Sequence, residues 1–105
     1  MICTLTARRL NPGAYDAFRA AFERIGVEEV PDEIAKRWNR VYVCRDVTDE
    51  DVALTFGFFD GTLEELREIQ GGSTEGRGPQ GGALDEHVQD VLLDGSYEVL
   101  QEITP

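Results

Sequence analysis

The stretch that most resembles a chemical motif is glycine-rich, GRGPQGG, at residues 76–82. Gly76, Gly78 and Gly81 have the G-x-G-x-x-G spacing that lets a backbone approach a dinucleotide pyrophosphate. That motif works only where it follows a strand and opens a helix in a parallel βαβ unit. Here a predicted helix precedes the glycines, and a partial P-loop match fails because Arg77 stands in place of lysine. We therefore predict a connecting loop, which could serve as a lid, and no nucleotide binding.

Few other side chains are candidates for chemistry. His87 is the only histidine and could carry a proton or anchor a ligand. It borders a predicted apolar helical stripe, so a partly buried structural imidazole is the alternative. Cys3 and Cys44 lack C-x-x-C spacing and lie in apolar runs. This arrangement favours two buried thiols over a disulfide or a metal site.

The charge balance excludes polyanionic partners. Ten Lys and Arg residues oppose 21 Asp and Glu residues, which gives a net charge of −11 that repels nucleic acid and anionic membranes. No apolar run approaches the roughly 18 residues of a membrane span, and no signal peptide precedes the first strand pattern. We expect a cytoplasmic protein. The one basic cluster (Lys36, Arg37, Arg40, Arg45) is interpreted as solvated or paired with carboxylates, with capture of an anionic substrate as the alternative.

The first half of the chain alternates predicted strands and helices. Residues 2–10 are rich in β-forming residues and predict a strand. Asn11 and Pro12 predict the start of a helix that Gly26 ends. A short helical turn is expected from Pro31, and residues 40–47 and 52–59 predict a hairpin joined by a polar loop.

The second half is predicted to contain a helix interrupted by glycines and a final strand. Thr62 and Glu65 form a capping box that starts the helix, and Gly71 with Gly72 stops it. A second helical stripe (Leu84, Val88, Val91, Leu92) is expected to end at Gly95, and residues 96–103 predict the last strand.

The resulting order is β-α-β-β-α-β over a single domain, residues 1–105. This order predicts an α+β, ferredoxin-like fold with a four-stranded antiparallel sheet and helices on one face.

Alternation along residues 52–59 predicts two uncharged faces. Leu54, Phe56 and Phe58 point to one face, which we expect to form the interface of a symmetric homodimer. The other face carries small residues and Phe59, so it leaves room either for closely packed helices or for a ligand.

The stretches RDVTDEDVALTFGFFDGTLEEL (45–66) and LDEHVQDVLLDGSYEVLQEI (84–103) resemble the dimeric α/β-barrel superfamily, and within it the antibiotic-biosynthesis-monooxygenase-like domains. The shared features are an acidic hairpin turn, an aromatic residue closing the third strand, the capped helix and a histidine before the final strand. The resemblance implies a dimer that holds a small hydrophobic or aromatic molecule between sheet and helices. Some members oxidise that molecule with oxygen alone, and others degrade haem.

On this resemblance His87 would move a proton, and Phe59, Tyr42 and Trp38 would form the walls of the pocket. Arg77 could close over an acidic or phenolate ligand. Such an enzyme needs neither a metal nor an organic cofactor. The alternatives are a non-catalytic dimeric binding module and, less favoured, a haem protein, because only His87 matches the haem-degrading pattern. For Trp38 the alternative is a core position.

Overall fold

The computed structural model describes residues 1–25, 30–69 and 84–105. Its strands are β1 (Ile2–Leu10), β2 (Trp38–Arg45), β3 (Val52–Phe59) and β4 (Val88–Glu98), and its helices are α1 (Tyr15–Glu23), α2 (Asp32–Ala35) and α3 (Leu63–Ile69). The strands form one antiparallel sheet in the order β2-β3-β1-β4. This is the ferredoxin-like arrangement that the sequence predicts. None of the helices in these ranges is long and apolar enough to cross a membrane.

The predicted hairpin is confirmed, and its turn is held by a carboxylate. Asp46 Oδ1 accepts hydrogen bonds from the Thr48 backbone N–H at 2.7 Å and from the Thr48 hydroxyl at 2.8 Å. These bonds, above all that from the backbone N–H, lower the pKa of Asp46 from its ordinary value. The Asp46 carboxylate therefore stays ionised to a lower pH than an ordinary aspartate. The turn that it holds fixes the register of β2 on β3.

The first helix starts later than Asn11 and Pro12 predict. α1 begins at Tyr15, and no side chain caps it. Asn11 instead donates a side-chain hydrogen bond to the Glu86 carbonyl at 3.0 Å, and Gly13 adopts φ 75°, a left-handed conformation that favours glycine. A tight turn therefore replaces the predicted first helical turn. The short helix expected after Pro31 is confirmed as α2.

The helix predicted from Leu84 to Gly95 is wrong. Only a short 3-10 helix, Asp85–His87, follows Leu84, and β4 begins at Val88. β4 pairs with β1 along the whole of β1, with two register shifts. A helix at this position would leave one edge of β1 without hydrogen-bond partners, so sheet pairing prevails over the local apolar spacing.

The capping box predicted for α3 is present and extends into an ion pair. Thr62 N–H donates to Glu65 Oε1 at 3.0 Å, and Glu65 N–H donates to the Thr62 hydroxyl at 3.2 Å. Arg37 donates to Glu65 Oε2 at 2.9 Å and to the Asp60 carbonyl at 2.8 Å. Its guanidinium lies 4.9 Å from the centre of the Phe59 ring. Arg37, one of the four residues of the basic cluster, therefore links the start of α3 to the end of β3.

The helices cover one face of the sheet with two separate apolar clusters. At one end Leu10 and Ala53 pack against Phe18 and Ala21 of α1, together with Leu84. At the other end Ile2 and Phe59 pack against Leu66 of α3, with Trp38 and Ile69 beside them. Between these clusters the covered face is formed by residues such as Thr4 and Thr6 of β1 and Thr55 of β3.

The Glu65 contacts predict a pH-dependent stability. The Thr62 N–H, Arg37 and the Thr62 hydroxyl lower the pKa of Glu65 below its ordinary 4.5, so its stabilising contribution is present above about pH 4.5 and is lost as pH falls through the folded-state value. We expect Glu65→Gln, which keeps the cap acceptor but not the charge, to lower the melting temperature at pH 7 and to match wild type near pH 3. Melting curves across this range test it.

The matched control is Glu68→Gln, an exposed carboxylate on the same helix. A Glu65→Gln deficit that is independent of pH, or shared by Glu68→Gln, would contradict the role of the charge.

Candidate ligand-binding site

Strand register divides the sheet into an inner face, covered by helices, and an outer face. Residues opposite each other on paired strands point to the same side, so Ala53, Thr55, Gly57 and Phe59 of β3 are inner, and all four are buried. The outer face is predominantly apolar, with charged residues at its margins, and its apolar side chains are half-buried or exposed in a single chain (Leu5, Ala7, Tyr42, Leu54, Phe56, Phe58, Leu93, Tyr97). The two faces predicted from residues 52–59 are therefore confirmed.

The middle of the inner face is polar. Thr4, Thr6 and Arg8 of β1 lie on this side, and Thr55 of β3 lies directly opposite Thr6. We call these four residues the polar band. Thr6 donates a hydrogen bond to Asp94 Oδ1 at 3.1 Å, so the band continues onto β4. A sheet face turned toward helices is usually apolar, which makes this band the unusual feature of the interior.

Arg8 is the most deeply buried charge in the described residues. Only 5% of it is exposed, and its Nη1 donates to the Thr55 hydroxyl at 2.9 Å. Its guanidinium also lies 5.3 Å from the centre of the Phe18 ring. Burying a cation is costly unless it is hydrogen-bonded and compensated. The band therefore combines a buried, hydrogen-bonded guanidinium with threonine hydroxyls, groups of the kind that hydrogen-bond acidic groups in proteins.

Two of the predicted wall residues, Trp38 and Phe59, lie together at the α3 end of the inner face. Their rings pack edge to face with centroids 5.3 Å apart, and Phe59 is fully buried. The Trp38 ring also covers Gly57, where an added Cβ would approach Trp38 Cε3 to 3.2 Å. Both aromatic residues pack in the apolar cluster that contains Ile2 and Leu66 of α3, as the core alternative for Trp38 predicts.

Tyr42, the third predicted wall residue, lies on the opposite face. It pairs across strands with Phe56, and the two rings stack with centroids 4.8 Å apart. Tyr42 and Phe59 therefore do not line one pocket within a single chain. In the isolated chain Tyr42 is part of the apolar outer face.

His87 lies at the other end of the sheet from Trp38 and Phe59. It ends the 3-10 helix, its carbonyl accepts a hydrogen bond from the Asn11 N–H at 3.0 Å, and its Nε2 is 3.1 Å from Glu86 Oε1. The next residue, Val88, pairs with Leu10, whereas Phe59 pairs with Ile2. Ile2 and Leu10 are eight residue steps apart along β1, or about 26 Å. His87 is instead at the same end of β1 as Arg8.

Arg77 and the glycine-rich loop, with the predicted helix stop at Gly71 and Gly72, lie outside the described residues, and so does the predicted end of the first helix at Gly26. In the part of the chain that the structure describes, an open depression is lined by the acidic β2–β3 turn, Tyr15 and Arg45. The pKa of Asp49 in this turn is lowered by the Asp51 N–H and by Arg9, which pairs with Asp49 at 3.1 Å. No group of three metal-ligating side chains occurs in the described ranges.

Sequence reasoning missed Arg8, although a signal for it was present. Thr4, Thr6 and Arg8 occupy alternate positions of the first predicted strand, so they had to share a face. The face itself follows only from the pairing of Arg8 with Ala53, a residue that packs under α1. If the faces of residues 2–10 had been assigned from their pairing with residues 52–59, Arg8 would have been placed among threonines on the covered face.

Known structures share this fold. A provisionally assigned antibiotic biosynthesis monooxygenase from Deinococcus radiodurans aligns with a TM-score of 0.72 at 15% identity, covering 100% of this chain and 98% of that one. A similar provisional assignment from Chloroflexus aurantiacus J-10-fl gives 0.70 at 14% identity, covering 98% and 96%. A third, from Nitrosomonas europaea, gives 0.67 at 12% identity, covering 96% and 100%. The fold is therefore that of antibiotic-biosynthesis-monooxygenase-like proteins.

Comparison by sequence adds nothing to this likeness. No protein-family model matches the chain, and no curated protein matches it. At such identities the structural likeness shows the fold alone, and function has to be argued from the site.

The Arg8–Thr55 hydrogen bond predicts an unequal response to two isosteric substitutions. Thr55→Val removes the acceptor for a buried charged donor and should lower the free energy of unfolding by about 1–3 kcal/mol. Thr4→Val is the control, because the Thr4 hydroxyl makes no hydrogen bond to the described residues. Urea unfolding measures both. Equal effects would mean that the Arg8 contact contributes nothing specific.

Proposed function

We propose that the chain is a homodimeric small-molecule-binding protein whose ligand occupies the inner face of the sheet at the polar band. The observation that carries this proposal is the burial of Arg8 and Thr55 beneath helices. A chain selected only for stability would be expected to fill this position with apolar side chains, since these replace buried charges at little or no cost.

The residues of the band define the chemistry of the ligand. A guanidinium binds a carboxylate or phenolate oxygen through charge-assisted hydrogen bonds, and threonine hydroxyls can donate or accept further ones. Phe18, already beside the Arg8 guanidinium, offers an aromatic edge to a planar molecule. The proposed ligand is a small aromatic or polyketide-type compound with an acidic group. Three structural neighbours carry provisional names as antibiotic biosynthesis monooxygenases, and the aromatic or polyketide-type class comes from the resemblance of the sequence to such domains.

The outer face supports the dimer. Tyr42, Phe56 and Phe58 form a stacked and edge-to-face series, with Phe56 and Phe58 centroids 6.1 Å apart. Leu93 and Tyr97 extend the same face and are exposed in the single chain. An apolar patch of this extent is typical of an interface between protein chains. A two-fold axis through it would cover the patch on both copies with the same residues.

The dimer is tested by Phe56→Glu. A charge placed in an apolar interface costs several kcal/mol, so the variant should sediment as a folded monomer at concentrations where wild type is a dimer. Val47→Glu adds the same charge at a fully exposed turn position and should remain dimeric. A monomeric wild-type protein at micromolar concentration would contradict the proposal.

The ligand site is tested with 2-naphthoate, an aromatic carboxylate, by calorimetry. Arg8→Lys keeps the charge but loses the planar donor pair, so it should weaken binding about tenfold. Arg9→Lys is the matched control, because Arg9 is the next residue and points to the outer face. Unchanged affinity in Arg8→Lys, or an equal loss in both variants, would remove the polar band from the site.

A second candidate function is oxygenation without a cofactor, and the location of His87 at the Arg8 end of β1 favours it. His87 would accept a proton from an acidic CH₂ group, and Arg8 would stabilise the adjacent enolate oxygen. The carbanion can then react with molecular oxygen. One oxygen atom becomes a carbonyl on that carbon, and the other leaves as water with the two displaced hydrogens.

Oxygen uptake with a phenolic aromatic ketone that contains such a CH₂ group tests this candidate. His87→Ala should reduce uptake by about 10²-fold or more, the usual contribution of a positioned base, without changing 2-naphthoate binding. If 2-naphthoate binds but the protein causes no oxygen uptake, the non-catalytic binding module remains the proposed function.

A further inference from the structure

Three residues of the inner face form one row across three strands. Thr55 of β3 and Asp94 of β4 both pair with Thr6 of β1, which lies between them. Arg8 Nη1 donates to the Thr55 hydroxyl at 2.9 Å, and the Thr6 hydroxyl donates to Asp94 Oδ1 at 3.1 Å. The row therefore has a cation at its β3 end and a carboxylate at its β4 end. These two strands are separated by two strand spacings, about 10 Å.

A bulge in β4 places Asp94 on the inner face. Ala7 pairs with Leu93 and Arg8 pairs with Val91, so one step along β1 is opposed by two steps along β4. Val91 and Asp94 are three residues apart, and in a regular strand this odd separation would put their side chains on opposite faces. Because of the extra residue, Asp94 shares the inner face with Arg8. Bulges are frequent beside active sites, where they redirect a side chain.

The row changes from buried to open along its length. Thr55 and Arg8 are 4% and 5% exposed, whereas Asp94 lies on the edge strand β4 and is exposed. A ligand whose anionic end contacts Arg8 would extend toward β4, so its other end would reach Asp94. A carboxylate has about four acceptor positions, so the hydrogen bond from Thr6 does not exclude a donor on the ligand.

We propose that the ligand of the polar band is zwitterionic, with a carboxylate that binds Arg8 and an ammonium group at its far end that binds Asp94. This inference rests on the proposed ligand site and narrows its ligand to amino-substituted aromatic acids. Asp94 determines the specificity of the site. Its carboxylate repels a ligand that carries only negative charge, and it attracts one that brings a positive charge to this end of the row.

Calorimetry with three compounds tests the proposal in the full chain: 2-naphthoate, 6-(hydroxymethyl)-2-naphthoate and 6-(aminomethyl)-2-naphthoate. The last two carry their groups at opposite ends of the ring system and match in size, but only the aminomethyl compound has an ammonium group. Wild type should bind it about fivefold more tightly than the hydroxymethyl compound, the effect of a solvent-accessible ion pair. In Asp94→Asn, which keeps an acceptor for Thr6, this preference should fall to about twofold or less, because the ion pair is lost.

The matched control is Asp90→Asn. Asp90 also lies on β4, but it pairs with Arg9 and therefore points to the outer face. The substitution removes the same charge from the same strand, so it corrects for the general attraction of a cation to a protein with a net charge of −11. The preference for the aminomethyl compound should persist in this variant.

Equal binding of the two matched compounds by wild type would overturn the proposal, and so would equal losses of preference in Asp94→Asn and Asp90→Asn. A preference that Asp94→Asn retains would also overturn it and would leave Asp94 the role of protecting the β4 edge from other chains. If 2-naphthoate binds and Arg8→Lys weakens its binding while the ammonium group brings no preference, the zwitterion is rejected and the ligand site is kept. If none of the three compounds binds, the ligand site itself is rejected, and the zwitterion with it.

Discussion

The alternation of side chains along the central strands β1 and β3 is the constraint on which both faces of the sheet depend. Their register pairs Thr6 with Thr55 and Arg8 with Ala53, so polar and small residues share the covered face. The same register sends Leu5, Leu54 and Phe56 to the other side. A shift of one residue would exchange the two faces. One pairing therefore determines both the candidate ligand site and the candidate dimer interface.

Burial of Arg8 distinguishes the covered face from an ordinary apolar core. The guanidinium lies beside Phe18, and Arg8 pairs with Ala53, so the charge adjoins the apolar cluster under α1. Its hydrogen bond to Thr55 and its contact with Phe18 hold it in one orientation. A fixed cation in a poorly hydrated position binds an anionic group more strongly than a mobile surface arginine does. The ends of the face are packed apolar clusters, and its middle holds the polar band that we propose as the ligand site.

Local sequence signals predicted the elements that depend on neighbouring residues. The strand over residues 2–10, the hairpin with its acidic turn, and the capping box of Thr62 and Glu65 follow from alternation, turn composition and a four-residue motif. The likeness to the antibiotic-biosynthesis-monooxygenase-like fold also followed from these elements. Each is determined within a few residues.

The failures concern features that depend on distant residues. The stripe Leu84, Val88 and Val91 has helical spacing, yet the demand of β1 for a second hydrogen-bonded neighbour makes this region a strand. Pairing across some 80 residues is invisible to a local pattern. The separation of Tyr42 from Phe59, and of His87 from Trp38, likewise follows from strand faces and ends that only the register defines. Arg8 was overlooked for the same reason.

The central claim, that the polar band binds an acidic aromatic molecule, is tested most directly by NMR of protein labelled at the threonine methyl groups. Thr4, Thr6 and Thr55 report on the band, while Thr48 and Thr62 lie at the β2–β3 turn and the start of α3. On titration with 2-naphthoate, the account predicts saturable shifts at the three band methyls and none at the other two. Shifts confined to Thr48 and Thr62, or no shifts at millimolar ligand, would contradict it.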